Sequence, residues 1–166
     1  MKKKGFTLIE MLVSVAILGT VGLISTQIFF TTLRGAGKAD IIREVKQNGD
    51  YALTVIERMI RNASGVTSVC DGTTANSLTI KNLDGNETSF QLSGGQIASV
   101  SATLTGNGTL TGNKVAVNNL AFICLRTPGK PDVVNISFSV SQAGAGAGPE
   151  EISAMNFQTT VSLRTY

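Results

Sequence analysis

Glu10 is the first residue whose type and position suggest chemistry. It is the only ionisable side chain in an apolar stretch that runs from Phe6 to Leu33. A carboxylate inside a membrane is costly unless another group neutralises it. The sequence therefore predicts a functional role for Glu10, in which a positive group pairs with it.

Cys70 and Cys124 are the second candidate pair and the only cysteines in the chain. An even number of cysteines in an exported region favours a disulfide. Two buried free thiols that pack as small hydrophobic side chains are the alternative. Both readings stay open at this point.

No catalytic machinery can be assembled from the remaining residues. The chain has no histidine and no tryptophan, and it has no Ser/His/Asp, Cys/His or metal-ligand cluster. Asp84, Asn86 and Glu87 offer oxygen ligands, but their spacing lacks a calcium loop and fits a hairpin turn. We therefore expect no enzyme activity, no catalytic residue, no metal and no cofactor.

The apolar stretch that holds Glu10 is long enough to cross a membrane. No charged residue lies between Met11 and Leu33, and about 20 apolar residues span a bilayer core as a helix. Lys2, Lys3 and Lys4 precede the stretch and predict a cytoplasmic N-terminus with the rest of the chain outside. These lysines also account for the whole net charge of +3. The remainder is balanced and does not indicate a polyanion-binding surface.

Beyond the apolar stretch, the pattern changes to that of an amphipathic helix. Apolar residues recur on one helical face, with charged residues opposite. The apolar positions are Ile41, Val45, Ala52, Ile56, Met59 and Ala63, with Tyr51, Val55 and Ile60 beside them. Gly35, Gly37 and Gly49 are points where this helix could bend, and Ser64-Gly65 ends it.

The C-terminal part of the chain has the features of an antiparallel sheet. Residues 77–81 and 89–92 alternate around Asp84-Gly85-Asn86, which predicts a hairpin. Further strands are predicted at 96–100, 115–117, 120–125, 133–140 and 157–163, with turns in 103–113 and a flexible loop at 144–149. The predicted fold class is α+β, a long helix packed on an antiparallel β-sheet.

The start of the chain, Gly5-Phe6-Thr7-Leu8-Ile9-Glu10-Met11-Leu12-Val13, closely resembles that of type IV prepilins and pseudopilins. A short basic leader ends in Gly5, Phe6 would become the first residue, and Glu10 is fifth after the cut. The resemblance covers roughly the first 30 residues. It implies that a prepilin peptidase cleaves between Gly5 and Phe6 and methylates the Phe6 amine.

The resemblance also implies the partners and the location. The helix would rest in membrane lipid of the cytoplasmic membrane, then join other pilin or pseudopilin subunits through its apolar surface. An inner-membrane assembly platform with a cytoplasmic ATPase would drive this step, leaving a cell-surface or periplasmic filament. Glu10 would neutralise the new Phe6 ammonium and fix the register between subunits. Nucleic acid becomes a partner only if the filament is a competence pilus.

With the resemblance, the chain divides into four parts: a leader (1–5), a hydrophobic transmembrane or filament-core helix (6–35), an amphipathic helix (36–63) and a β-rich head domain (64–166). Gln27 stands where many major pilins have proline, and residues 56–65 resemble the helix end of minor pilins and large pseudopilins. Both features favour a minor or initiating subunit. An uncleaved single-pass anchor that presents a binding or adhesin domain is the main alternative, and a small exported enzyme is a third.

Overall fold

The structure is a computed structural model that describes residues 5–101, 108–144 and 154–164. One helix, α1 (Leu8–Arg61), is followed by nine strands among the described residues. Residues up to Asp40 form one compact unit, and residues from Ile41 onward form another.

The first unit is helical, and its side chains are exposed. The serine and threonine hydroxyls donate to backbone carbonyls of the preceding turn, as Ser14 does to Glu10 (2.7 Å) and Thr26 to Gly22 (2.8 Å). These hydroxyls therefore do not need water as an acceptor, which suits an apolar environment. The rest of the unit's surface is dominated by exposed Leu, Ile, Val and Phe side chains.

The second unit contains the end of α1 and two antiparallel sheets. The five-stranded sheet has the order β1-β3-β4-β5-β6, formed by Gly65–Val66, Ser77–Lys81, Glu87–Ser93, Gln96–Ser101 and Gly108–Thr109. The four-stranded sheet has the order β2-β7-β8-β9, formed by Asp71–Ala75, Val115–Leu125, Val133–Gln142 and Met155–Ser162.

The core of this unit lies between α1 and the two sheets. Ala52, Ile56 and Ile60 of α1 are fully buried, as are Phe90 of β4 and Ile136 of β8. The alternation of buried and outward residues along β8 shows why this strand forms where it does, since one face contributes to the core. These contacts confirm the predicted α+β class with a long helix packed on antiparallel strands.

Gly49 of α1 packs directly against the ring of Phe157. A Cβ atom added there would overlap the ring of Phe157 in β9, which stacks on Phe138 with ring centroids 5.4 Å apart. The sequence predicts Gly49 as a point where the helix could bend. In the structure it is buried within an unbroken helix, because only glycine leaves room for the Phe157 ring.

Several details of the head differ from the sequence-based expectation. The strands form two sheets rather than one, and β2 was not predicted. The segments 115–117 and 120–125 are one strand, with a bulge at Asn119 (φ 55°) that shifts the register. Tyr51, expected beside the buried face of α1, is 60% exposed.

Two of the predicted loop regions are only partly described. In 103–113, residues 108–109 form β6, whereas 103–107 lie outside the described residues. The predicted glycine-rich loop at 144–149 is described only at Gly144.

Candidate processing and assembly site

The helix begins with a reciprocal pair of contacts between Thr7 and Glu10. The Glu10 amide donates to Thr7 Oγ1 (3.3 Å), and the Thr7 amide donates to Glu10 Oε2 (3.4 Å). This is a capping box, in which a threonine and a glutamate three residues later satisfy amides that the first helical turn leaves free. Glu10 therefore has a structural partner within its own chain.

The sequence analysis missed Thr7, although its signal was present. Thr-x-x-Glu directly before an apolar run is the sequence signature of a capping box. The glutamate was interpreted by its charge alone, so its hydrogen bonds to the start of its own helix were not considered.

The predicted cleavage residues lie just before this cap. Gly5 and Phe6 precede the helix, and the Phe6 side chain is 77% exposed. A peptide bond in a non-helical exposed segment is accessible to a peptidase. Lys2, Lys3 and Lys4 lie outside the described residues.

An exposed apolar surface follows the cap. Leu8, Met11, Leu12 and Val15 are each more than half exposed. Exposed large apolar side chains recur along the helix as far as Leu33. The helix is long and apolar enough near the N-terminus to cross a membrane, judged by length and composition. Exposure of so large an apolar surface to water is unfavourable, so lipid or other protein chains must cover it.

The head contains the disulfide that the cysteine count favoured. Cys70 and Cys124 are bonded, with Cα atoms 4.5 Å apart, and the bond connects the segment before β2 to β7. Cys124 is 3% exposed. The alternative of two free thiols is therefore wrong.

Arg126, next to this disulfide, bonds to both Asp132 and Val66. Its guanidinium donates to both carboxylate oxygens of Asp132 (2.9 and 2.7 Å) and to the Val66 carbonyl (2.9 Å). The hydrogen bond and charge of Asp132 raise the pKa of Arg126. Because these bonds join the β7–β8 connection to β1, the cluster links the two sheets beside the disulfide.

The head also has a half-open cavity of about 320 Å³ where α1 meets the turn before β7. Glu44 and Lys114 face each other there at 3.5 Å, above Val45 and Val115. The described residues contain no group of three or more His, Cys, Asp or Glu side chains that could hold a metal ion.

A family model described as the prokaryotic N-terminal methylation motif matches residues 1–26. The chain carries the type IV prepilin signature. No curated protein and no solved structure matches the chain. The signature covers the leader, the cap and the first part of the apolar surface, and it leaves the head unmatched.

The prepilin signature supports a type IV pilin-like or pseudopilin protein. It implies processing by a peptidase and assembly with other pilin subunits, and together with the apolar helix it fits anchoring in a membrane. It also suggests a structural subunit rather than an enzyme. Cleavage at Gly5–Phe6, methylation of Phe6 and an assembly role for Glu10 stay predictions.

Proposed function

We propose that the chain is a structural subunit, a minor pilin or pseudopilin, of a type IV pilus, a type II secretion pseudopilus or a competence filament. The observation that carries this proposal is the prepilin signature on a helix whose apolar surface is exposed. Neighbouring subunits would cover that surface after the helix leaves the bilayer.

Charge pairing explains why such a helix would retain Glu10. Cleavage after Gly5 would create an ammonium at Phe6, and an unpaired ammonium among apolar helices is costly. Glu10 of a neighbouring subunit would supply the counter-ion. The capping contact with Thr7 would hold the same carboxylate before assembly.

Other features of the chain support a minor subunit with its head outside the cytoplasm. The leader lysines favour an N-terminus on the cytoplasmic side. The Cys70–Cys124 bond suits an oxidising compartment. The non-proline residue Gln27 and the helix end at 56–65 resemble minor pilins more than major ones.

The N-terminus of the mature protein tests the proposal. Mass spectrometry of protein from the native membrane should find an N-terminus at methylated Phe6. Gly5→Val should keep the leader attached, because the resembling peptidases need a small residue at the cut. Gly5→Ala is the matched control and should still be cleaved.

Two outcomes would contradict the proposal. An intact Met1 in the wild-type protein would point to an uncleaved anchor that presents a binding domain. Normal maturation of Gly5→Val, with the protein recovered in sheared filaments, would show that the cut is not at Gly5.

A further inference from the structure

The two sulfurs of the Cys70–Cys124 disulfide lie in different surroundings. Cys124 is 3% exposed and belongs to the core between α1 and the two sheets. Cys70 is half-buried and packs against that core from outside it. The bond therefore has one sulfur in the interior of the head and one close to its surface.

The backbone around each cysteine repeats this difference. Cys124 lies inside β7, which has β2 on one side and β8 on the other, and Val134 of β8 is its direct partner. Cys70 lies in the irregular segment between β1 and β2, and Val69 just before it is 73% exposed. A thiolate from solution can therefore approach Cys70 while the sheets stay intact, whereas an approach to Cys124 requires the core to open.

Arg126 adds a chemical difference between the two sulfurs. Its Nη2 lies 4.0 Å from Cys70 Sγ, at the limit for a hydrogen bond to sulfur, and it also donates to Val66 and Asp132. When the disulfide is reduced, a guanidinium in this position favours the thiolate of Cys70, which is the reactive form of a cysteine. The apolar surroundings of Cys124 favour its uncharged thiol instead.

Two carboxylates limit the strength of this effect. Asp132 is the ion-pair partner of Arg126, and Asp71 directly follows Cys70 in the chain. Their charges offset the charge of the guanidinium, so Arg126 acts on the sulfur mainly as a hydrogen-bond donor. We therefore expect Arg126 to change the reactivity of Cys70 only several-fold, and the difference in burial to decide which sulfur reacts.

We propose that Cys70 is the sulfur through which a thiol–disulfide oxidoreductase exchanges with this chain, and that Cys124 is the resolving cysteine. The partner is a protein of the Cys-x-x-Cys class, whose first thiol is exposed and reactive. The inference concerns the head and does not depend on cleavage between Gly5 and Phe6.

The exchange consists of two displacements at sulfur. The Cys70 thiolate attacks the oxidoreductase disulfide, so that a mixed disulfide forms and one oxidoreductase thiolate leaves. Cys124 then gives its proton to solvent and attacks Cys70 Sγ, which forms the Cys70–Cys124 bond and releases the second oxidoreductase thiolate. Two electrons pass from the chain to the oxidoreductase. Reduction follows the same steps in reverse, with attack at Cys70 Sγ and Cys124 as the leaving group.

The first test uses the oxidised wild-type chain in detergent, with glutathione as the probe. After a brief exposure the reaction is quenched with acid, and freed thiols are alkylated. Trypsin then cuts after Lys81 and Lys114, which places the two cysteines on separate peptides. We expect glutathione on Cys70 and the alkyl label on Cys124 at least about tenfold more often than the reverse. No substitution is involved, so the protein is folded when it reacts.

The second test compares the two single-cysteine variants. Cys124→Ala, which retains Cys70, should react with glutathione disulfide about tenfold faster than Cys70→Ala, which retains Cys124. In urea the two rates should become nearly equal, because the protection of Cys124 comes from the fold. An oxidoreductase with only its first cysteine left, and with thionitrobenzoate attached to it, should be captured by Cys124→Ala and not by Cys70→Ala.

A third comparison isolates the contact with Arg126. In the Cys124→Ala background, Arg126→Gln should slow the reaction of Cys70 several-fold at neutral pH. The difference should fade at high pH, where the thiol ionises in both proteins. Lys130→Gln removes an exposed cation from the same β7–β8 connection and is the matched control, with an unchanged rate expected.

The thermal transition of each variant shows whether it is folded under the conditions of the reaction. Glutathione found mainly on Cys124 of the wild-type chain would overturn the proposal. Equal rates for two folded single-cysteine variants, or capture of the oxidoreductase by Cys70→Ala, would do the same. A pH profile that Arg126→Gln leaves unchanged would show that Arg126 has no part in the exchange.

Discussion

Glu10 has two partners that compete for one carboxylate. In the isolated chain it caps α1 through Thr7, and in the proposed filament it pairs with the Phe6 ammonium of a neighbour. The cap needs hydrogen-bonding atoms at position 10, whereas the pair needs a negative charge. Single substitutions can separate these two requirements.

Glu10→Gln and Thr7→Val form that contrasting pair. Gln can still complete a capping box, so Glu10→Gln should insert into the membrane and keep a folded head. It should be strongly reduced in sheared filaments, because removal of one member of a buried ion pair typically costs about 3–5 kcal/mol. Thr7→Val loses the cap but keeps the charge, so it should be incorporated far better than Glu10→Gln.

The measurement is the amount of each variant in sheared filaments relative to its abundance in membranes. Phe6 methylation is measured alongside, so that a defect in processing is not mistaken for one in assembly. The reverse result, with Thr7→Val excluded and Glu10→Gln normal, would mean that helix capping and not charge pairing is the role of Glu10.

Two exposed aspartates in the head, Asp71 and Asp84, each accept hydrogen bonds from a residue two positions later. Thr73 donates its hydroxyl and its amide to Asp71, and Asn86 donates its side-chain and backbone nitrogens to Asp84. These hydrogen bonds, above all those from the Thr73 and Asn86 side chains, lower the pKa of each carboxyl below its ordinary value. The charged forms are thus favoured in the folded state.

The pH dependence follows from the direction of these shifts. A carboxyl with a lowered folded-state pKa stabilises the fold above its unfolded pKa, and the contribution is lost as the pH falls through the folded value. The melting temperature of the full chain should therefore fall below about pH 4. The combined change of Asp71→Asn and Asp84→Asn should make that fall smaller. An unchanged fall would show that the two turns do not contribute.

At the scale of elements, local sequence patterns predicted the strands and turns that form between residues close in the sequence. Alternation at 77–81 and 89–92 around Asp84-Gly85-Asn86 predicted the β3–β4 hairpin, which the structure confirms. β2 was missed because Asp71-Gly72-Thr73-Thr74-Ala75 reads as a turn. It becomes a strand only by pairing with β7, which is distant in the sequence.

The same limit explains the sheet count and the site. No sequence pattern states that β2 joins β7 while β1 joins β3, so the two sheets could not be separated in advance. Glu10 and the disulfide were predicted because their residue types are rare in their surroundings.

Packing of α1 on β9 gives the prediction at this scale. Gly49→Ala should destabilise the head by about 1–3 kcal/mol, because the added methyl would overlap the Phe157 ring and the stack on Phe138 restricts its movement. Alanine's better helix propensity, about 1 kcal/mol, offsets only part of this cost. The measurement is urea unfolding of the full chain in detergent.

Gly37→Ala is the matched control on the same helix. A Cβ atom at Gly37 would meet no other group within 4 Å, so this change gains helix propensity without a clash. It should leave the stability of the head unchanged. Equal effects of Gly37→Ala and Gly49→Ala would show that the close approach at Gly49 is not restrictive.

At the scale of the whole molecule, the disulfide connects parts of the head that are distant in sequence. Cys70 comes soon after β1 of one sheet, and Cys124 lies in β7 of the other. The Arg126–Asp132 pair bonds to β1 beside it. The disulfide and the ion pair therefore both tie the segment after α1 to β7 and to the connection that follows it.

Reduction of this bond should weaken the head without any change of side chain. The bond closes a loop with a sequence separation of 54, and loss of such a constraint on the unfolded chain costs about 4 kcal/mol. Urea unfolding of the full chain with and without reductant measures the effect. A variant with both Cys70→Ser and Cys124→Ala should unfold identically in the two conditions. Quantitative thiol labelling of the unreduced wild-type protein, or a urea midpoint that does not change with reductant, would show that the bond does not stabilise the head.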